Sequence, residues 1–379
     1  MNICIIAHFA YGSISGGKFG HAGGVERQTT LLARWLADHG HQTSLLTWDE
    51  GQDDDVFIDG VRVIKMCRAN DGLPGLRFFY PRWTSLIHAM RRANADLYYQ
   101  NCAEYVTGQA ALWCKKNNRS FVYSSANNPE CDPNLPELRT RRERILFRYG
   151  IKNSDAIIVQ SNDQKKMLVE GWGLQSTALP MPCPDPNRNE FIQAKSPVPG
   201  ECRVVWVGRI TNIKRLEYLL DVAEMLPEIQ FDIAGKPDVD DKYSRGVLER
   251  ASLLKNVTVH GKVPREKMPD IYRNASALCC TSIYEGFPNT FLEAWSHGLP
   301  IVSTYEADSL ISNLNLGLVA DSPATLADSL IKIFSDADKW LIMSANAREH
   351  YLENYTVDSV MARYEKLFLE TIARKTSQP

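Results

Sequence analysis

Several patterns that would place this chain at once are missing from it. No stretch approaches the roughly 18 consecutive apolar residues that a membrane-spanning helix needs. The start, Met1-Asn2-Ile3-Cys4-Ile5-Ile6-Ala7, has no basic leader and its apolar run breaks at His8, so it reads as a first strand and not a signal peptide. The nine cysteines are scattered with no C-x-x-C pair, and the eight histidines contain no H-x-x-x-H. A zinc hydrolase and a disulfide framework are therefore disfavoured, and reduced thiols in the cytoplasm are expected. The net charge is only −2, which gives no electrostatic case for nucleic acid.

What is present is ordinary globular composition, 44% hydrophobic and 23% charged, over 379 residues. That length suggests two domains. Apolar runs at Ile3–Ala7, Gln42–Thr47, Leu97–Tyr99, Ser120–Ser124 and Ala156–Gln160 alternate with helical spacing, as at Val25, Thr29, Leu32 and Leu36. Pro180, Pro182, Pro184, Pro186, Pro197 and Pro199 then mark a linker. Strand–helix alternation restarts at Arg203–Val207 and runs through Gln230–Ala234, Val257–His260, Ala277–Cys280 and Ile301–Ser303. The expected architecture is two doubly wound α/β domains facing across a cleft. They are bounded at 1–185 and 186–355, and an amphipathic helix at 356–379 packs back on the first.

The most informative stretch is Ser282–Thr304. It reads as a loop leaving a buried parallel strand, turning through Gly286 and Pro288, and entering a helix that Gly298-Leu299-Pro300 stops. Asn289 and Thr290 both suit an N-cap. Glu285 and Glu293 are purely acceptors when ionised, so they suit sugar or ribose hydroxyls, while a helix N-terminus suits phosphate. On local sequence alone Glu293 reads equally as the closing residue of a Thr290–Glu293 capping box. Arg209 and Lys214, five residues apart beyond Gly208 at the end of a strand, are placed to neutralise a departing diphosphate.

Other patterns are weaker. Gly12–Lys18 imitates a phosphate-binding loop but continues into Phe19, where a Ser or Thr should hold magnesium. Gly23-Gly24, directly before a helix, suits phosphate approach better. Asp53-Asp54-Asp55 and Asp238-Val239-Asp240 read as solvated loop acids before metal ligands. Arginines mix with aromatic and aliphatic residues in Leu76–Arg92 and Arg139–Arg148. The mixture suits either a salt-bridged helix face or a peripheral contact with an anionic membrane.

With Gly208-Arg209…Lys214 and Glu285…Glu293 in view, nearly the whole chain resembles glycosyltransferase family 4, retaining enzymes of the GT-B fold. Gly23-Gly24-Val25-Glu26-Arg27 and Gly261-Lys262-Val263-Pro264 belong to the same likeness. The resemblance implies a nucleotide-sugar donor, with uridine as the expected base, and a glycan or lipid-linked hydroxyl acceptor. It implies neither cofactor nor metal.

Arg209 and Lys214 would hold the diphosphate, and Gly208, Gly23 and Gly24 would approach it. Glu285, with Gly286, Phe287, Pro288 and Asn289, would position the sugar. Glu293 would take the ribose hydroxyls and Val263 would lie beside the base. Many relatives carry a histidine at the end of the strand Phe121–Ser125. Here the segment is Ser124-Ser125-Ala126-Asn127-Asn128, which leaves Ser125, Asn127 and Asp132 as acceptor-side candidates. A nucleotide-sugar epimerase or a non-catalytic sugar-nucleotide-binding subunit are the alternatives.

Overall fold

The computed structural model describes residues 1–16, 23–186, 196–198 and 200–377. The chain divides into two compact units, Met1–Met181 with Asp358–Pro379, and Pro182–Val357. The divide falls a few residues before the linker boundary expected at 185.

The first unit is built on eight strands: β1 (Asn2–Ile6), β2 (Gln42–Thr47), β3 (Val56–Ile58), β4 (Val61–Lys65), β5 (Leu97–Asn101), β6 (Ser120–Ser124), β7 (Ala156–Val159) and β8 (Thr177–Ala178). Their order is β3-β4-β2-β1-β5-β6-β7-β8. All pairs are parallel except β3–β4. β1, β5 and β6 are almost wholly buried, as continuous apolar runs between two helical layers should be. The helices Tyr105–Lys116 and Arg141–Lys152 touch backbone to backbone, because a Cβ on Gly108 would stand 2.2 Å from the Leu146 carbonyl oxygen. The C-terminal helix Val357–Thr376 completes this unit. It buries Val360, Tyr364 and Phe368, with Tyr364 and Phe368 against Tyr99, while Asp358 accepts from the Trp35 indole at 3.0 Å.

The second unit has β9 (Arg203–Val207), β10 (Gln230–Ala234), β11 (Val257–Gly261), β12 (Ala277–Cys280), β13 (Ile301–Ser303) and β14 (Gly317–Val319), in the order β11-β10-β9-β12-β13-β14. Every pairing is parallel. In both sheets the chain first winds outward on one side and then crosses to the other. The reversals fall between β1 and β5 and between β9 and β12, and ligands gather beyond the carboxyl ends of such strand pairs.

The stretch after β1 contains a short helix at Tyr11–Ile14. The phosphate-loop imitation from Gly12 is described only to Gly16, and Lys18 and Phe19 lie outside the described residues. Neither Asn289 nor Thr290 caps the following helix. It spans Asn289–Ser296 with Pro288 at the N-cap, so Glu293 sits in its second turn, beyond the reach of a Thr290 capping box. Its end is as expected. Gly298 takes φ +67°, its N–H meets the Trp295 carbonyl at 2.9 Å and the Leu299 N–H meets that of Ala294 at 2.9 Å, a Schellman stop.

Candidate active site at the second switch point

β9 delivers Gly208, Arg209 and Lys214, and β12 delivers Ser282 and Glu285, to adjacent positions. The Lys214 ammonium donates to Glu285 Oε1, and Ser282 Oγ donates to the same oxygen at 2.6 Å. Both charged side chains are largely withdrawn from water, 25% and 15% exposed. The two loops are bound to each other through the main chain and through buried groups. Ile283 N–H donates to the Ile213 carbonyl at 2.9 Å, Thr281 Oγ1 donates to the Lys214 carbonyl at 2.6 Å, and the Trp206 indole donates to Thr281 Oγ1 at 3.0 Å. Close backbone approach holds the base of the β9 loop, since a Cβ on Gly235 would stand 1.8 Å from the Gly208 carbonyl oxygen.

Arg215 does work that the sequence did not disclose. It takes φ +44° at the junction with the helix Leu216–Met225, which turns its guanidinium toward β12. There it donates to the Thr281 carbonyl at 2.8 Å and to Thr304 Oγ1 at 2.8 Å. The only sequence signal was its place next to Lys214. Arg209, by contrast, stands in solvent, 72% exposed, with Asp238 at 2.9 Å. An exposed long cation on a loop can swing to an anion; a half-buried lysine fixed by Glu285 is already in position.

Glu285 opens the turn into the helix. The Tyr305 hydroxyl donates to the Gly286 carbonyl at 2.9 Å and fixes that turn. Phe287 is a buried anchor, its ring 5.7 Å from Tyr355 and 6.2 Å from Trp295, and Pro288 is buried beside it. Asn289 begins the helix.

Glu293 is buried at 7% exposure; Tyr272 donates to its Oε2 at 2.7 Å and Arg265 pairs with its Oε1 at 2.6 Å. Burial and the neighbouring carboxylate hold the Tyr272 hydroxyl's pKa well above its ordinary value, so it stays a donor. Val263, half-buried, precedes Arg265 by two residues. Tyr272 and Arg265 are residues the sequence reading missed, because nothing local connects them to Glu293.

In the first unit, Gly23 is the N-cap of the helix Gly24–Asp38, so Gly24 is its first helical residue. The Glu26 carboxylate folds back to the space a Cβ on Gly23 would need. Ser125 is buried, its hydroxyl donating to the Asn127 carbonyl at 3.1 Å. Asn127 caps a 3₁₀ turn by accepting from the Glu130 N–H at 3.1 Å and donates to Glu137 at 3.0 Å. Asp132 accepts from the Asn134 N–H at 2.8 Å. All three side chains are used in folding their own loop.

The loop acids also have structural partners. Asp55 accepts two bonds from Arg62, at 2.5 and 2.8 Å, and this pairing lowers its pKa to about 2. Asp54 pairs with Arg92, Asp238 with Arg209 and Asp240 with Arg245.

Residues 22–179 match the family model described as Glycosyltransferase Family 4, and residues 201–336 match that described as glycosyl transferases group 1. The chain is 27% identical over 213 residues to the mannosylfructose-phosphate synthase of Agrobacterium fabrum, covering 51% of this chain and 46% of that protein. It is 25% identical over 249 residues to the D-inositol 3-phosphate glycosyltransferase of Corynebacterium jeikeium, with 59% of each chain covered. It thus spans about half the length of the curated relatives it matches.

Solved structures of known glycosyltransferases and a sucrose-phosphate synthase share its fold. The sucrose-phosphate synthase of Thermosynechococcus elongatus superposes with a TM-score of 0.80 at 18% identity, covering 98% of this chain and 99% of that one. Anabaena HepE in complex with UDP and glucose gives 0.74 at 15% identity, with 97% and 99% covered. The fold is GT-B.

Proposed function

The chain belongs to the glycosyltransferases of the family 4 type, and from that premise we propose that it moves a sugar, with retention, from a nucleotide-sugar donor to a hydroxyl acceptor. The observation that carries this reading is the Lys214–Glu285–Ser282 cluster at the carboxyl ends of β9 and β12.

Lys214 and the exposed Arg209 take the donor's diphosphate, and Gly208 lets backbone come close. Glu285 is thereby released from part of its ion pair and accepts hydrogen bonds from the sugar, with the main chain of Gly286, Phe287, Pro288 and Asn289 beside it. Glu293 accepts from the ribose hydroxyls and Val263 flanks the base.

The bond from the anomeric carbon to the leaving phosphate oxygen breaks, and a bond to the acceptor oxygen forms on the same face. The acceptor's proton passes to the departing phosphate oxygen. Lys214 and Arg209 stabilise the charge that grows there, which is the main catalytic contribution this site can make. The reaction is proposed to need no cofactor and no metal. UDP is the proposed nucleotide, supported by the HepE complex with UDP and glucose. The acceptor is proposed to belong to a surface polysaccharide or glycolipid, reached by peripheral membrane contact.

A thermal-shift screen of nucleotides and nucleotide sugars tests the donor. A ligand at 100 times its dissociation constant adds about 2.7 kcal/mol of stability. Stabilisation by UDP and UDP-sugars is expected; none by any nucleotide would remove the proposal. Product analysis with donor alone separates transfer from epimerisation, which would convert the donor without an acceptor.

A further inference from the structure

Directly after Lys214 the chain takes a backbone conformation that an arginine rarely adopts. Arg215 has φ +44°, in the left-handed region. There a Cβ crowds the following carbonyl oxygen, so glycine is the usual occupant. Such a residue persists where the structure around it over-determines the turn, and positions of this kind gather at functional sites. The half-buried Arg215 guanidinium is held in just that way. Its Nε donates to the Thr281 carbonyl at 2.8 Å, and one terminal nitrogen donates to Thr304 Oγ1 at 2.8 Å and to the Ser282 carbonyl at 3.3 Å. Thr304 Oγ1 in turn donates to the Ser282 carbonyl at 2.9 Å. The guanidinium carbon lies 4.3 Å from the Tyr218 ring centroid.

These contacts close a ring around Lys214. Arg215 donates to the Thr281 carbonyl, the Thr281 hydroxyl donates to the Lys214 carbonyl at 2.6 Å, and Lys214 is joined to Arg215 through the peptide bond. Thr281 and Ser282 lead into the loop that carries Glu285, the partner of the Lys214 ammonium. The left-handed turn sends the Arg215 side chain to the end of β12 while Lys214 meets Glu285. A rigid planar fork satisfies acceptors on two loops at once, which a single ammonium on a flexible stem does not. We propose that Arg215 is a positioning residue that acts through Lys214. It fixes the lysine where a donor's diphosphate is received and does not itself touch the donor. The inference rests on the nucleotide-sugar reading above and adds to it a residue that sets the geometry of the site.

The test is a double-mutant cycle on the full chain. Calorimetry, with phosphorus NMR titration where binding is weak, measures the affinity of UDP, ADP and GDP for wild type, Lys214→Ala, Arg215→Gly and the double variant. The diphosphate that wild type binds most tightly is followed through the cycle. Glycine adopts a positive φ freely, so Arg215→Gly removes the fork and keeps the turn. It should weaken binding at least tenfold when Lys214 is present and less than twofold when Lys214 is gone. Arg215→Lys keeps the charge and loses the fork. It should fall between wild type and Arg215→Gly, and it carries the same cycle if Arg215→Gly does not fold. Equal losses in the two backgrounds, which a general structural role or a direct contact with the donor would give, overturn the inference. So does wild-type affinity in Arg215→Gly or in Arg215→Lys. Failure of the donor reading shows separately, as no binding of any of the three diphosphates by wild type, and takes this inference with it.

Discussion

Lys214 and Glu285, 71 residues apart in sequence, share one ion pair at the meeting of two strand ends, and Ser282 donates to the same carboxylate oxygen at 2.6 Å. The pairing makes each residue the guardian of the other's position. Removing either leaves a partly buried charge in search of a partner.

Lys214→Ala should therefore reduce transfer by about two orders of magnitude or more, roughly 3 kcal/mol in the barrier, the scale of one stabilising donor at a developing anion. Arg209→Ala should act in the same direction. Steady-state kinetics with saturating donor measure both, and near wild-type turnover in Lys214→Ala would sink the assignment of the site.

Tyr272→Phe tests the support beneath Glu293. It removes a buried hydroxyl that donates to the carboxylate at 2.7 Å. A hydrogen bond to a charged group contributes about 2 kcal/mol. Urea denaturation should show a loss of that order, and the donor KM should rise several-fold with kcat little changed. A variant that matches wild type in stability and in donor KM would show that Tyr272 does not orient Glu293.

His297 lies at the end of the same helix, stacked on Tyr272, with Nδ1 2.8 Å from the Glu293 carbonyl. Burial pushes its pKa below the ordinary histidine value. The unfolded chain thus takes up the proton more readily than the folded one. The stability held above the unfolded value, about 6.5, is lost as pH falls through the folded value. Denaturation midpoints at pH 7.5 and 5.5 should fall less in His297→Gln than in wild type. His350, depressed by burial too, keeps some of the slope in both proteins, so the difference between them isolates His297. Equal slopes would remove His297 as the source.

Leu73, Leu76, Phe79 and Tyr80 are exposed by 70, 62, 57 and 73%, and the guanidinium of Arg142 lies 3.9 Å from the Phe78 ring centroid in the same region. Arg77 pairs with Asn70, and Arg139 and Arg141 are exposed. Co-sedimentation with vesicles containing anionic lipid is expected at low salt and should weaken as salt screens the arginines. Phe79→Ser with Tyr80→Ser should abolish it. Absence of binding to anionic vesicles at low salt would end the membrane proposal.

The sequence by itself determined what is local. Buried parallel strands announce themselves as short apolar runs, a Gly-Leu-Pro stop ends a helix, and the strand–loop–helix around Glu285 and Glu293 follows from those signals. It also supplied the candidate residues of the second unit, because Arg209, Lys214, Glu285 and Glu293 sit at readable strand ends. The tertiary structure decided which groups meet. Parallel strands are joined through crossovers of a dozen or more residues, so partners brought to one sheet end are far apart in the chain and carry no mutual pattern. Glu293 met Tyr272 and Arg265 instead of Thr290; Arg215 tied two loops together; and Ser125, Asn127 and Asp132 turned inward to hold their own loop. His8, which the sequence showed only as the end of an apolar run, came to rest beside Glu104 and stacked on Trp48.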